Sequence, residues 1–253
     1  MGGKKQKRVS RSTVLYIPAS ALTIVLLVSL GIGVFMKVLD IRVIGTSIYS
    51  DEQIISASGI MPGDNTLFIN TEAASRMIHK EMPYIRDAKI TRKPPSTIII
   101  EVTASKALAA ITFQNSVLVV DSDCKLLSVS DKMPDGLIVV TGLLIVDPAV
   151  GSPLKVDVGN DKNLQYLKDV LVAIEKENME KDISYLDVTN TSRINFGYLG
   201  QFRVILGNPG NITSKLNDLP LFVLKIRSQS SDDVKGEIDV SGASSTWRFS
   251  PDK

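Results

Sequence analysis

Residues Val14 to Met36, VLYIPASALTIVLLVSLGIGVFM, run for 23 positions without a charge. At 1.5 Å per residue a helix of that length rises roughly 35 Å, enough to cross a hydrocarbon core of about 30 Å. Pro18, Gly31 and Gly33 interrupt the run, and both residue types are tolerated in membrane-spanning helices. A soluble core helix is seldom so long and uncharged. A cleaved signal peptide is the more serious alternative, because basic residues precede the run. Such peptides have an apolar core of about 7–15 residues and a small-x-small cleavage site just beyond it, and neither is present. The run therefore reads as a retained anchor. Lys4, Lys5, Lys7, Arg8 and Arg11 precede it with no acid among them, whereas Lys37 and Arg42 beyond it are offset by Asp40. The positive-inside bias places the N-terminus in the cytoplasm and residues 37–253 outside the membrane.

The whole-chain net charge of +2 conceals an asymmetry. With the five N-terminal cations set aside, 24 basic residues face 27 acids, a net charge of −3. That balance argues against nucleic-acid binding, which needs concentrated positive charge facing phosphates. The basic tail reads as a topology signal, with contact to anionic lipid or a cytoplasmic partner as the alternative. The one cysteine, Cys124, excludes an internal disulfide. It sits in DSDCKL, a turn between strand-like runs, with no histidine or acid at nucleophile spacing. There is no Cys/His cluster at metal spacing, no GxSxG and no phosphate loop. GNPGN at 207–211 lacks the Lys-Ser/Thr of a phosphate loop and reads as a turn. His79, the one histidine, reads as a solvated or cap-contacting residue. No enzyme, cofactor, metal or small-molecule substrate is expected.

Beyond the anchor, KVLDIRVIG alternates as a strand. Ser50 with Gln53 three positions on is a capping-box pattern, and Gly59 can close that helix in a left-handed conformation. Ile54 and Ile55 supply its buried side. IMPGDNTLF reads as a turn-rich connector that returns Leu67 and Phe68 to the core. A second helix starts near Asn70 or Thr71, with Ala73, Met77 and Ile78 as its apolar stripe, and Met82 and Pro83 close it. DAKITRK and STIIIEV read as strands. Pro94 and Pro95 between them cannot donate to a ladder, so they fit a rigid reversal. The order is β-α-α-β-β.

From about Lys106 the chain is punctuated by Pro and Gly. ALAAITF, SVLVVD, CKLLSVS, PDGLIVVTG and VDPAVGSPLKV read as a β region. Leu164, Leu167, Leu171 and Ile174 mark one helix near Asp161 to Asn178. ISYLDV, RINFGY and QFRVILG resume the strands. A short helix at TSKLNDLPLFVLKI should give way at Pro220, and GEIDVSG is a late strand. STWRFSPDK is weakly structured or completes an edge with Trp247 and Phe249. The fold class expected is α+β: an N-terminal membrane helix, a β-α-α-β-β domain, and a second, mainly β-sheet domain.

This arrangement resembles the bacterial FtsQ/DivIB cell-division family. Its first outer domain, the POTRA domain, has a strand ending in Gly, a helix, a G-x-x-x-G-x-N-x-F connector, a second helix, then P-Y-I-x-x-A-x-V-x-R-x-x-P-x-T-I-x-I-x-V. Gly45, Gly59, Gly63, Asn65, Phe68, Pro83, Tyr84, Ile85, Ala88, Arg92, Pro95 and Thr97 stand at the matching places. LVVDSDCKLL, FRVILGNPGNITSKLNDL and GEIDV resemble later family segments. Thr46 stands where the family usually has Asn, Thr103 and Ala104 where it has Glu-Arg, and Cys124 where its turn has Gly.

The resemblance implies residues 1–13 as a cytoplasmic tail, 14–36 as the transmembrane helix, 37–105 as the POTRA domain, 106–241 as a C-terminal β domain and 242–253 as a tail. It implies a non-catalytic, single-pass protein concentrated at the division septum. Its implied partners are small coiled-coil membrane proteins of the FtsL and FtsB/DivIC types and, indirectly, the septal peptidoglycan synthase. A POTRA-bearing envelope or sporulation adapter and an envelope enzyme remain alternatives. For the contact, an exposed sheet edge can accept a partner strand. GEIDVSG is the edge expected here, with Lys235, Glu237, Ile238, Asp239 and Val240 as partner-binding residues. The alternative is that it is merely the last core strand.

Overall fold

The computed structural model describes residues 11–230 and 233–252. Lys4, Lys5, Lys7 and Arg8, on which the charge asymmetry mainly rests, lie outside the described residues. Helix α1 spans Arg11–Phe35 and runs through Pro18. It is the one helix among the described residues long and apolar enough to cross a membrane. Leu22, Leu26, Val28 and Leu30 on it are all exposed, as expected of a helix whose solvent is lipid.

Two compact units follow from the chain's contacts. The first ends at Ile78 and resumes over Asp87–Thr103; the second takes His79–Arg86 and Ala104–Lys253. In the first, strand β1 (Asp40–Gly45), helices α2 (Asp51–Ser58) and α3 (Thr71–Glu81), and strands β2 (Ile85–Lys93) and β3 (Thr97–Ala104) follow in the expected order. The sheet order is β1-β3-β2, and β1 runs parallel to β3. The most β-branched segment therefore takes the centre. Its alternate residues Ile98, Ile100 and Val102 are buried, as the two-residue period of a strand requires.

The capping box is present: Ser50 Oγ accepts from Gln53 N, and Gln53 Oε1 accepts from Ser50 N. Gly59 closes α2 with φ +68°. Helix α3 keeps Ile78 of the expected stripe but is rotated away from Ala73 and Met77. Ala74 and Ile78 are buried and Met77 is exposed, because Ser75 Oγ donates to Ala88 O and sets the helix against β2. Leu67 and Phe68 also depart from expectation, since both are exposed. Ile60 and Thr66 are the buried residues of the connector, and the Thr66 hydroxyl donates to Pro95 O. Asn65 turns the chain outward by accepting from Leu67 N through its side chain and from Phe68 N through its carbonyl. The reversal at residues 94–96 offers carbonyls rather than donors: Leu39 N and Asp40 N both donate to Ser96 O. Two prolines fit there because no amide is needed.

The second unit holds β4 (Ala109–Phe113), β5 (Ser116–Val120), β6 (Leu126–Ser130), β7 (Ile138–Thr141), α4 (Asp161–Lys176), β8 (Ile183–Asp187), β9 (Ile194–Tyr198), β10 (Phe202–Gly207), α5 (Ile212–Gln229), β11 (Gly236–Asp239) and β12 (Arg248–Pro251). All nine strands form one sheet, ordered β12-β11-β10-β9-β8-β7-β4-β5-β6. Helices α4 and α5 supply crossovers between parallel neighbours, β7 to β8 and β10 to β11. They touch each other and bury Leu167, Val170, Leu171, Leu216, Leu219 and Val223 in a core that includes Phe196 and Leu186. VDPAVGSPLKV forms isolated bridges instead of a strand, since Pro148, Gly151 and Pro153 break a ladder. Helix α5 does not give way at Pro220 but continues to Gln229. The buried stripe Leu216, Leu219, Val223 and Ile226 holds it to the sheet and offsets the one hydrogen bond that proline removes.

Gly45 gives a direct test of the first unit. Its φ is +115°, and a Cβ there would lie 1.9 Å from the Val102 carbonyl oxygen. Gly45→Ala is expected to cost about 1–3 kcal/mol or more from backbone strain alone. Urea unfolding of the full chain in detergent, followed by far-ultraviolet circular dichroism, reads the loss; an unchanged midpoint would refute it.

Candidate partner-binding edge

The expected edge is one strand removed from the observed one. Strand β11 is paired on both sides, parallel to β10 and antiparallel to β12. GEIDV is therefore not the open edge of the sheet; β12 is, and β6 is the edge at the far end. The segment read as a tail from residue 242 carries this last strand. Its signal was the alternation in WRFS, where Trp247 and Phe249 are apolar and Arg248 and Ser250 are polar. Phe249 packs edge-on against Phe202 at 6.1 Å between ring centroids, and Trp247 packs likewise against Phe222 at 5.4 Å. Each such pair contributes about 0.5–1.5 kcal/mol beyond its buried area. Two aromatic contacts thus hold a strand that is only four residues long.

The five expected residues divide by side. Ile238 and Val240 are fully buried, so they support the edge and offer no surface to a partner. Lys235 and Asp239 are exposed and Glu237 is half-buried. Glu237 pairs with Arg193 at 3.5 Å. Arg193 is largely exposed and Glu237 partly so, and the pair contributes little stability. Asp239 Oδ1 accepts from Ser241 N at 2.9 Å, closing a small turn at the strand's end. Hydrogen bonds from Ser241, through its side chain and its backbone, hold the Asp239 carboxyl below the usual carboxylate range, against a weaker push from desolvation.

Beneath this edge lies Lys215, the one buried cation among the described residues. Its ammonium donates to Leu206 O at 2.9 Å and Ser241 O at 3.3 Å. It thereby joins α5 to the ends of β10 and β11. Desolvation lowers its pKa, with the Asp239 charge opposing. Cys124 has no chemical role at this edge. Burial, reinforced by the Asp121 charge, pushes its thiol up to about 12, so it stays protonated and unreactive at neutral pH. His79 Nε2 lies 3.2 Å from Arg86 O. Among the described residues no group of three His, Cys, Asp or Glu could hold a metal ion.

Comparison with known proteins identifies similar chains. The family model described as "POTRA domain, FtsQ-type" matches residues 36–103. The chain is 27% identical over 208 residues to "Cell division protein DivIB" of Clostridium acetobutylicum, covering 82% of this chain and 80% of the relative. It is 28% identical over 239 residues to the protein of that name from Clostridium botulinum (strain Hall), covering 94% and 90%. A "Cell division protein FtsQ" of Corynebacterium glutamicum is 29% identical over 107 residues, covering 42% and 47%.

Two outcomes follow from the edge. A Cβ at position 236 would lie 2.3 Å from Ser250 O and 2.8 Å from the Phe249 ring. Gly236→Ala should therefore push β12 away, speeding amide exchange at residues 248–250 and shifting emission of Trp247, the one tryptophan, to the red. Slow exchange there in the variant would refute the close packing. Asp239 has a folded pKa below its unfolded value of about 3.9, so its contribution is complete above that value and is lost as pH falls through the lower, folded one. The stability difference between wild type and Asp239→Asn should be constant from pH 7 to about 5 and change only below. A difference that varies between pH 5 and 7 would contradict this.

Proposed function

We propose that this chain, which belongs to the FtsQ/DivIB family of cell-division proteins, acts as a membrane-anchored scaffold of the division machinery and carries out no chemistry of its own. Its helix α1 holds it in the cell membrane with the N-terminus cytoplasmic, and both units act outside the membrane at the division septum. The second unit binds small coiled-coil membrane proteins of the FtsL and FtsB/DivIC types. Through them it helps localise and regulate septal peptidoglycan synthesis.

The observation that carries the binding mode is the position of β12. It is a short, exposed strand at the end of a nine-stranded sheet, and an outer strand edge presents backbone donors and acceptors that an incoming strand can pair. In this reading Arg248 and Ser250 face the partner directly. Lys235, Glu237 and Asp239 supply a flanking charge pattern that selects it, while Ile238 and Val240 keep the strand beneath in register.

A photo-crosslinking amino acid placed at Ser250 in dividing cells tests the proposal, with the same group at Val129 on the β6 edge for comparison. Adducts at 250 with small single-pass coiled-coil proteins are expected, together with a several-fold loss of yield in Arg248→Glu. Adducts from 129 alone would move the contact to the other edge. None from either position, with the protein at the septum, would end the partner assignment.

A further inference from the structure

We propose that the connector Met61–Phe68 of the first unit is a second membrane contact, resting its apolar side chains in the interfacial layer of the bilayer that α1 crosses. The proposal rests on α1 being a membrane anchor. The connector is bonded to the residues that leave that helix. Met36 is the first residue past its end, and Thr66 N donates to Met36 O at 2.7 Å. Val38 N donates to Asp64 O and Gly63 N to Val38 O, each at 2.8 Å, and Lys37 and Asn65 form an antiparallel bridge. Because the bridge is antiparallel, residues 64–66 run back toward the end of the helix as residues 36–38 run away from it.

The side chains at that turn suit lipid. Phe68 is 78% exposed, Met61 66% and Leu67 39%. Exposed apolar side chains are ordinary when scattered, but grouped in one short connector they form a surface that a partner can cover. Here the covalent path says which one. The interfacial layer is about 5–7 Å thick on each side of the hydrocarbon core, and two residues of chain span at most about 7 Å. Leu67 and Phe68 follow Thr66 directly, so they lie within that layer or at its border. Exposed Lys37 and Lys93 stand at the same end, where ammonium groups meet lipid phosphates. Lys93 immediately precedes the proline turn that Thr66 binds. Asp64, the one acid of the connector, has its Oδ2 occupied by Met61 N at 2.9 Å. The chemistry recognised is that of a bilayer surface bearing phosphate headgroups. The contact would restrict rotation of the first unit about the single helix.

Nitroxide labels on Phe68→Cys, Leu26→Cys and Lys89→Cys variants of the full chain test this in nanodiscs of phosphatidylcholine with phosphatidylglycerol. The buried native Cys124 supplies the background, measured on wild type. Collision rates with oxygen, which concentrates in lipid, and with a water-soluble nickel chelate are compared. The oxygen-to-nickel ratio at position 68 should be several-fold above that at 89 and below that at 26. A ratio at 68 equal to that at 89, with 26 in lipid, overturns the proposal and leaves the anchor intact. A label at 26 that reads as water removes the anchor and the proposal with it. A label at 68 that becomes shielded only when a protein partner is co-reconstituted gives the surface to that protein and also overturns it.

Discussion

Parallel pairing of β10 with β11 is the constraint on which the edge of the second unit depends. Parallel neighbours cannot be joined by a tight turn, so the chain must leave the sheet, cross its face and return. Helix α5 makes that crossing, and its apolar stripe is buried against the sheet. Lys215 closes the return by donating to a carbonyl on β10 and to one just past β11. A buried ammonium is costly unless its donors are used. Here its removal would also take a donor from two carbonyls at the point where the last strands diverge. Only after β11 is seated can β12 turn back over Gly236, where a side chain would collide with it. The outermost strand is therefore the last consequence of a packing arrangement that begins at α5.

What could be read from the sequence was what is local. Ser50 and Gln53 are three residues apart and meet each other, so the capping box was visible as a pattern. The alternation of STIIIEV was equally visible, and so were the order of elements and the α+β class. What could not be read was pairing at a distance. No local rule puts β3 between β1 and β2, because its parallel partner lies more than 50 residues earlier. The shift of the α3 stripe from Ala73 and Met77 to Ala74, with Ile78 kept, has the same origin, since a short helix carries nearly equivalent stripes and tertiary contact chooses one. Pro220 was given its local meaning, and the buried face of α5 overrode it. A local reading puts the partner edge on GEIDVSG and leaves STWRFSPDK as either weakly structured or an edge built on Trp247 and Phe249; its alternating residues are those of a strand, and the second alternative is the one that holds.

The turn after β5 shows how a departure from a family pattern is absorbed. Asp121 is buried, and its Oδ1 accepts from Asp123 N and Lys125 N while its Oδ2 accepts from Ser105 Oγ. That network forces the residue at position 124 into a left-handed conformation, φ +59°. Glycine reaches it freely, which accounts for the glycine usual in the resembling family. Cysteine pays a steric cost of about 1–2 kcal/mol but gains the burial of its side chain, 2% exposed, in the main core. The two effects are of similar size, so the substitution leaves the turn in place.

The small size of β12 bears on how the proposed scaffold would reach useful affinity. An edge of four residues offers two to four backbone hydrogen bonds, each contributing about 0.5–1.5 kcal/mol net. Their sum is a few kcal/mol, short of the roughly 8 kcal/mol that corresponds to a micromolar dissociation constant. Pro251 at the strand's end and Arg248 at its start also discourage pairing with a second copy of the same edge. Strand addition alone would therefore be weak as well as selective. A partner anchored in the same membrane meets the edge at a high effective concentration, without any further contact. The anchor and the edge then become parts of one device: the helix supplies the concentration that a short strand needs, and the short strand avoids the self-association that a longer one would invite.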